Sequence, residues 1–257
     1  MKAILSILLF LISLNSFSQY PFEKYPAISD RVFNDWKVSD TTKNKNRFDY
    51  ILAIPEFFNN HDSLIFRVTS SDEDMLNSSA ISLFRNKNQV VNYIEKFPLG
   101  LSGLDGGNKP DTAFVADYNG DHLNDLKIYF LNLGCGAFNF YAQVIYFFQR
   151  PDGGFTKISF TDLYMDFNYR KERDLNGDGN YEIITQSFQN YGKHNYWLFN
   201  IYNLKNNELV NVNKLYQYPI MSQILYRDNF KITKNLSREK MKTFSRKLPD
   251  DYSCLSF

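Results

Sequence analysis

Histidine, cysteine and net charge are all scarce in this chain of 257 residues, which carries 3 His, 2 Cys and a formal charge of +1 at pH 7. His61, His122 and His194 fall in no spacing that binds zinc and beside no evident nucleophile, so the common zinc and His-activated signatures are missing. A charge so close to zero gives no long-range pull toward nucleic acid or an anionic surface, and neither is an expected partner. The hydrolase elbow G-x-S-x-G is also absent: in GLSGLDGG (100–107) Gly103 follows Ser102 directly. That stretch, within 98–111, reads instead as a glycine-rich connection. Nothing assembles a convergent acid, base and nucleophile, and no catalytic residue is assigned.

Long apolar runs are equally rare. The one at the start, MKAILSILLFLISLNSFSQY, places Lys2 before an apolar stretch from Ala3 to Leu14 and small residues at Ser16 and Ser18. This is the pattern of a secretory signal peptide over 1–18, with cleavage expected after Ser18 and export to the periplasm or the medium. The run is shorter than the ~20 residues of a membrane-spanning helix, and no transmembrane segment is expected after cleavage. No cysteine follows it to carry a lipid. The remainder, 19–257, is long enough for one sizeable β-rich domain. In an oxidising compartment Cys135 and Cys254 are a candidate disulfide, with two buried thiols as the alternative.

What is abundant is aromatic: 24 Phe and 18 Tyr. Aromatic side chains suit the half-buried pleated surface of a strand and favour an all-β fold. Short strands are expected at 48–58, 63–71, 80–86 and 89–97 in an N-terminal part spanning 48–110, with RNKN (85–88) turning a hairpin. More follow at 112–117, 126–132, 143–149 and 155–160, and then at 183–188, 196–203 and 209–213. Pro151, Asp152, Gly153 and Gly154 supply the reversal of a second hairpin. QNYGKHN (189–195) reads as a loop. A short C-terminal helix is expected over 236–248, capped at Ser237, with Met241, Phe244 and Leu248 on one side. From Arg227 to Lys247 there are eight basic residues and two acidic ones, read as a solvated outer face.

Two stretches repeat. DYNGDHLND begins at Asp117 and DLNGDGNYE at Asp174, and each leads into strand, loop, strand, turn, strand. The repeats span 112–160 and 169–213, a length that suits a four-stranded blade. Counting the first Asp as position 1, oxygen-bearing side chains fall at 1, 3, 5 and 9: Asp117, Asn119, Asp121 and Asp125, then Asp174, Asn176, Asp178 and Glu182. The carbonyls of Leu123 and Asn180 stand at position 7. Calcium takes six to eight oxygen ligands, and a coiled acidic loop supplies most of them. An EF-hand would need a Glu at position 12 between helices, but Ile128 and Thr185 stand there in strand-like runs. Asx turns that hold no metal are the alternative reading.

The pattern D-x-N-G-D-x-x-x-[DE] running into a strand resembles the calcium loops of FG-GAP, or VCBS-type, repeats of integrin-like β-propellers. The resemblance covers at most 112–213, and its specific part is the two nine-residue loops. It implies a β-propeller-like or partial propeller fold built from antiparallel-strand repeats. It also implies calcium as the cofactor, with the residues just named as ligands in each loop. His122 departs from it by standing where the second loop has Gly179, which implies weaker binding in the first loop.

The function expected is binding or recognition of a protein or glycan by an exported calcium-binding repeat protein. Inhibition of, or immunity to, a cell-envelope hydrolase is the second reading, and a glycan-active hydrolase the third. The aromatic loops at 134–141 and 189–197 occupy the same slot in the two repeats, and offer either a contact face or packing between blades.

Overall fold

The computed structural model describes residues 20–40, 47–71, 78–96, 110–131, 141–163, 170–224 and 235–257. The expected signal peptide, Cys135 and nearly all of the aromatic loop at 134–141 and of the 98–111 connection lie outside these residues.

Among the described residues, alternation along the strands builds three antiparallel sheets. The first is a meander of β2 (Lys37–Asp40), β3 (Arg47–Ile54), β4 (Leu64–Ser71), β5 (Ser78–Arg85) and β6 (Asn88–Lys96). The middle sheet runs in the order β1 (Arg31–Phe33), β7 (Pro110–Ala116), β8 (Asp125–Leu131), β9 (Tyr141–Gln149), β10 (Phe155–Leu163) and β15 (Asp250–Ser256). In the third, β12 (His194–Lys205) pairs with β11 (Ile183–Tyr191) on one side. Its other side pairs with β13 (Glu208–Asn211) and β14 (Ile220–Gln223), between which the chain makes the short helix α1 (Asn213–Tyr216).

The middle sheet is buried on both faces because both of its alternating sets are apolar. Val115, Leu126, Ile128, Ile145 and Phe147 pack with Leu52, Phe66, Val68 and Leu83 of the first sheet. Phe114, Tyr129, Val144, Tyr146 and Phe160 point the other way and pack with Ile183, Tyr202 and Leu209 of the third. Successive side chains on a strand face opposite ways, so YAQVIYFFQ feeds two cores at once. Each interface also holds a buried ion pair. Lys157 Nζ meets Glu95 at 2.7 Å toward the first sheet, and Lys127 Nζ meets Glu172 at 2.5 Å toward the third.

Several expectations change in detail. The segment 189–195 is not a loop: β11 and β12 run to Tyr191 and His194, joined by Gly192 and Lys193, both at positive φ. Two such residues make the tight turn whose twist matches a hairpin. The C-terminal helix, α2, covers only Arg238–Lys242; Ser237 Oγ accepts the Lys240 amide as its cap, and Met241 is its buried residue. It ends early because Thr243 closes it and Asp250–Ser256 is drawn out as β15 along β10. Cys254 lies on that strand, half-buried, its Sγ 3.3 Å from the Asn207 carbonyl. Among the described residues no helix is long and apolar enough to cross a membrane.

Candidate cation site in two stacked acidic loops

Each acidic loop is closed at its base by strand pairing. Ala116 pairs with Asp125 across β7 and β8, and Arg173 and Glu182 exchange backbone hydrogen bonds of 3.2 and 2.8 Å. The residue at position 2 points into the protein: Tyr118 and Leu175 are both buried. This fixes the loop's polar positions outward and its ends in register.

Between those ends the two loops repeat one hydrogen-bond pattern. Asp117 Oδ1 accepts the amides of Gly120 (2.8 Å) and Asp121 (3.1 Å), and Oδ2 accepts that of His122 (2.9 Å). Asp174 Oδ1 accepts Gly177 (2.6 Å) and Asp178 (3.2 Å), and Oδ2 accepts Gly179 (3.1 Å). At position 3, the Asn119 and Asn176 Oδ1 atoms accept the amides of Asp121 and Asp178. At position 5, the Asp121 and Asp178 Oδ1 atoms accept the amides of Leu123 and Asn180. Positions 4 and 6 take positive φ in both: Gly120 at 76° and His122 at 66°, Gly177 at 77° and Gly179 at 82°. A histidine thus adopts the backbone that glycine adopts freely in the other copy.

Position 9 behaves differently. Asp125 is fully buried; its Oδ2 accepts the Tyr118 amide at 3.0 Å and its Oδ1 the Gln149 amide at 2.9 Å. Glu182 Oε2 accepts the Leu175 amide at 2.8 Å, while Oε1 accepts from Tyr216 Oη at 2.8 Å and Asn203 Nδ2 at 3.3 Å. Burial pushes the Asp125 carboxyl well above the usual carboxylate range against the pull of those two amides, with Asp121 and Asp117 adding repulsion. Glu182 is also raised, first by burial. The position-9 acids therefore tie the second residue of their loop to the neighbouring strand. Gln149, Asn203 and Tyr216 complete the site without any sequence signal, because only strand pairing and α1 bring them there.

The loops also touch. Tyr181 donates its amide to the Tyr118 carbonyl at 3.0 Å, and a Cβ built on Gly120 would stand 2.9 Å from the Gly179 carbonyl oxygen. His122 Nδ1 lies 3.7 Å from Asp117 Oδ2 and its ring is exposed.

The donor set suits a hard cation. Every candidate ligand is oxygen, and a carboxylate has about four acceptor directions. Asp121 and Asp178 each accept two hydrogen bonds, one from the following loop amide and one from the Asn119 or Asn176 amide group. Acceptor capacity remains in each. Among the described residues no three acidic, His or Cys side chains converge on one point. Coordination would therefore draw on the Asn side chains and position-7 carbonyls as well as the acids. No family model, curated protein or solved structure matches the chain.

Proposed function

We propose that the protein is an exported, calcium-stabilised β-repeat module for binding or recognition, similar to FG-GAP repeats and built as a partial propeller. The observation that carries this reading is the position-by-position agreement of the two loops in hydrogen bonding and positive φ. Three stacked antiparallel sheets, with the middle one covered on both faces, also fit neighbouring blades. Calcium would be held by Asp117, Asn119, Asp121, the Leu123 carbonyl and Asp125 in the first loop. In the second it would be held by Asp174, Asn176, Asp178, the Asn180 carbonyl and Glu182. The ion would neutralise acids crowded within nine residues and hold each loop at the base of its strands.

Thermal melting in excess calcium and in excess chelator tests this. A ligand bound only by the folded state raises its stability by mass action, so calcium should raise Tm. Equal melting in the two conditions would remove calcium from the reading. Pull-downs against envelope hydrolases and against glycans separate inhibition from glycan recognition.

A further inference from the structure

We infer that the cavity between the N-terminal segment, α1 and the start of α2 binds the carboxylate-bearing ring of an acidic saccharide. The inference deepens the reading as a binding module and rests on that reading, though not on calcium. The cavity has a volume of about 350 Å³, at the low end of the ~300 to 1,000 Å³ of small-ligand sites. Its walls bring together Lys24, Tyr25, Leu215, Tyr216, Tyr218 and Arg238 from three separate parts of the chain.

Two features favour an anion. Arg238 is held in place by carbonyls, with Nη1 donating to Pro219 O at 3.1 Å and Nη2 to Gln217 O. Carbonyls position a guanidinium and leave its charge in place. Neither Arg238 nor Lys24 forms an ion pair with an acid among the described residues. Lys24 Nζ rests 5.0 Å from the Tyr25 ring centre, beside the same cavity.

Two more favour a sugar ring over a bare anion. Three tyrosines line one small space, and Leu215 at its edge is 71% exposed, an apolar surface that a free phosphate would leave uncovered. Tyrosine faces attract the C–H side of a sugar ring while its hydroxyls meet polar groups around them. The Tyr218 hydroxyl is buried with no hydrogen-bond partner among the described residues. One wall is fixed in place, because Tyr216 Oη donates to Glu182.

The test is calorimetric titration of the purified chain with methyl glucuronide, alongside methyl glucoside, inorganic phosphate and a short peptide with a free C-terminus. Saturable glucuronide binding is expected, about tenfold weaker for the glucoside and for Lys24→Gln, the scale of one charge-assisted hydrogen bond. Tyr25→Ala should weaken it as well. Lys24 is exposed, so its variant keeps the fold even if Arg238→Gln does not. No saturable glucuronide binding, an unchanged Lys24→Gln, or phosphate or peptide binding as tightly as glucuronide would each overturn the inference. Running the titration in calcium and in chelator keeps the two readings apart. Glucuronide binding with calcium-insensitive melting supports the cavity and removes calcium, whereas calcium-dependent melting without glucuronide binding overturns the cavity alone.

Discussion

Gly120 presses on Gly179 so closely that a Cβ on the first would stand 2.9 Å from the carbonyl oxygen of the second. Around the equivalent glycine of the other loop, Gly177, such an atom would meet nothing within 4 Å among the described residues, its two chain neighbours aside. Both have positive φ, 76° and 77°. Gly120→Ala and Gly177→Ala therefore share the same backbone strain, roughly 1–2 kcal/mol, and differ only in the clash. Urea denaturation should show Gly120→Ala as the more destabilising by at least about 1 kcal/mol, the lower end for overpacking. Equal losses would mean that the loops do not depend on their mutual contact.

His122 holds a positive φ of 66° at the position Gly179 fills in the second loop. Replacing it with glycine removes Cβ strain of roughly 1 kcal/mol and gives up only an exposed side chain near Asp117. His122→Gly should raise Tm slightly without metal and should tighten calcium binding in the first loop. Calcium titration of the variant in an Asp174→Ala background isolates that loop, and unchanged affinity there would show that His122 is not what limits it.

Asp62 offers a pH dependence away from the acidic loops. Side chains of Asn86, Asn60 and Arg85 hydrogen-bond its carboxylate and lower its pKa from 3.8 to about 2. The folded value lies below the unfolded one, so the stabilisation is complete above the unfolded value and is lost as pH falls through the folded one. Asp62→Asn should therefore melt below the parent near neutral pH, with the gap closing between about pH 4 and pH 2. A gap that stays constant over that window would show that the carboxylate's charge is not its source.

Much of this architecture is legible in the chain because long alternating runs specify strands. The apolar and aromatic residues of β3 to β12 mark their own faces, and Pro151 to Gly154 mark their own turn. What escapes are elements that exist only through partners. β1 is three residues long against β7, and β15 is a polar, half-exposed sequence that is a strand because β10 lies beside it. Asn190 and Asn195 read as loop residues in the sequence, yet their side chains bond across a hairpin. In the acidic loops the spacing reveals positions 1 to 9, and the positive φ follows from Gly120, Gly177 and Gly179. The inward turn of Asp125 and Glu182 does not follow, since Gln149, Asn203 and Tyr216 reach them only after the sheets form.

Lys127 and Glu172, 4% exposed each and 2.5 Å apart, join the middle sheet to the segment leading into the second loop. Burial, the largest influence, works to lower the lysine pKa, but Glu172 and Tyr129 together outweigh it through attraction and hydrogen bonding and hold the ammonium above the ordinary lysine range, charged at neutral pH. Three rings, Phe114, Tyr129 and Tyr146, surround its Nζ at 5.9, 4.9 and 5.5 Å, and Tyr146 Oη donates to the same Glu172 oxygen. Lys127→Met alone strands a buried carboxylate and should cost about 3–5 kcal/mol. Adding Glu172→Leu removes that charge and should restore part of the loss, leaving roughly 1–3 kcal/mol for groups that then lack partners, the Tyr146 hydroxyl among them. Adding Tyr146→Phe as well should recover part of that remainder, because it removes one unpaired buried hydroxyl, while the Arg170 carbonyl and the Tyr129 hydroxyl, which also lose Lys127, stay in place. Urea denaturation of the four proteins measures the series. A Lys127→Met loss below about 1 kcal/mol, within the range of exposed pairs, would show that water reaches the pair and that the sheets are not locked there.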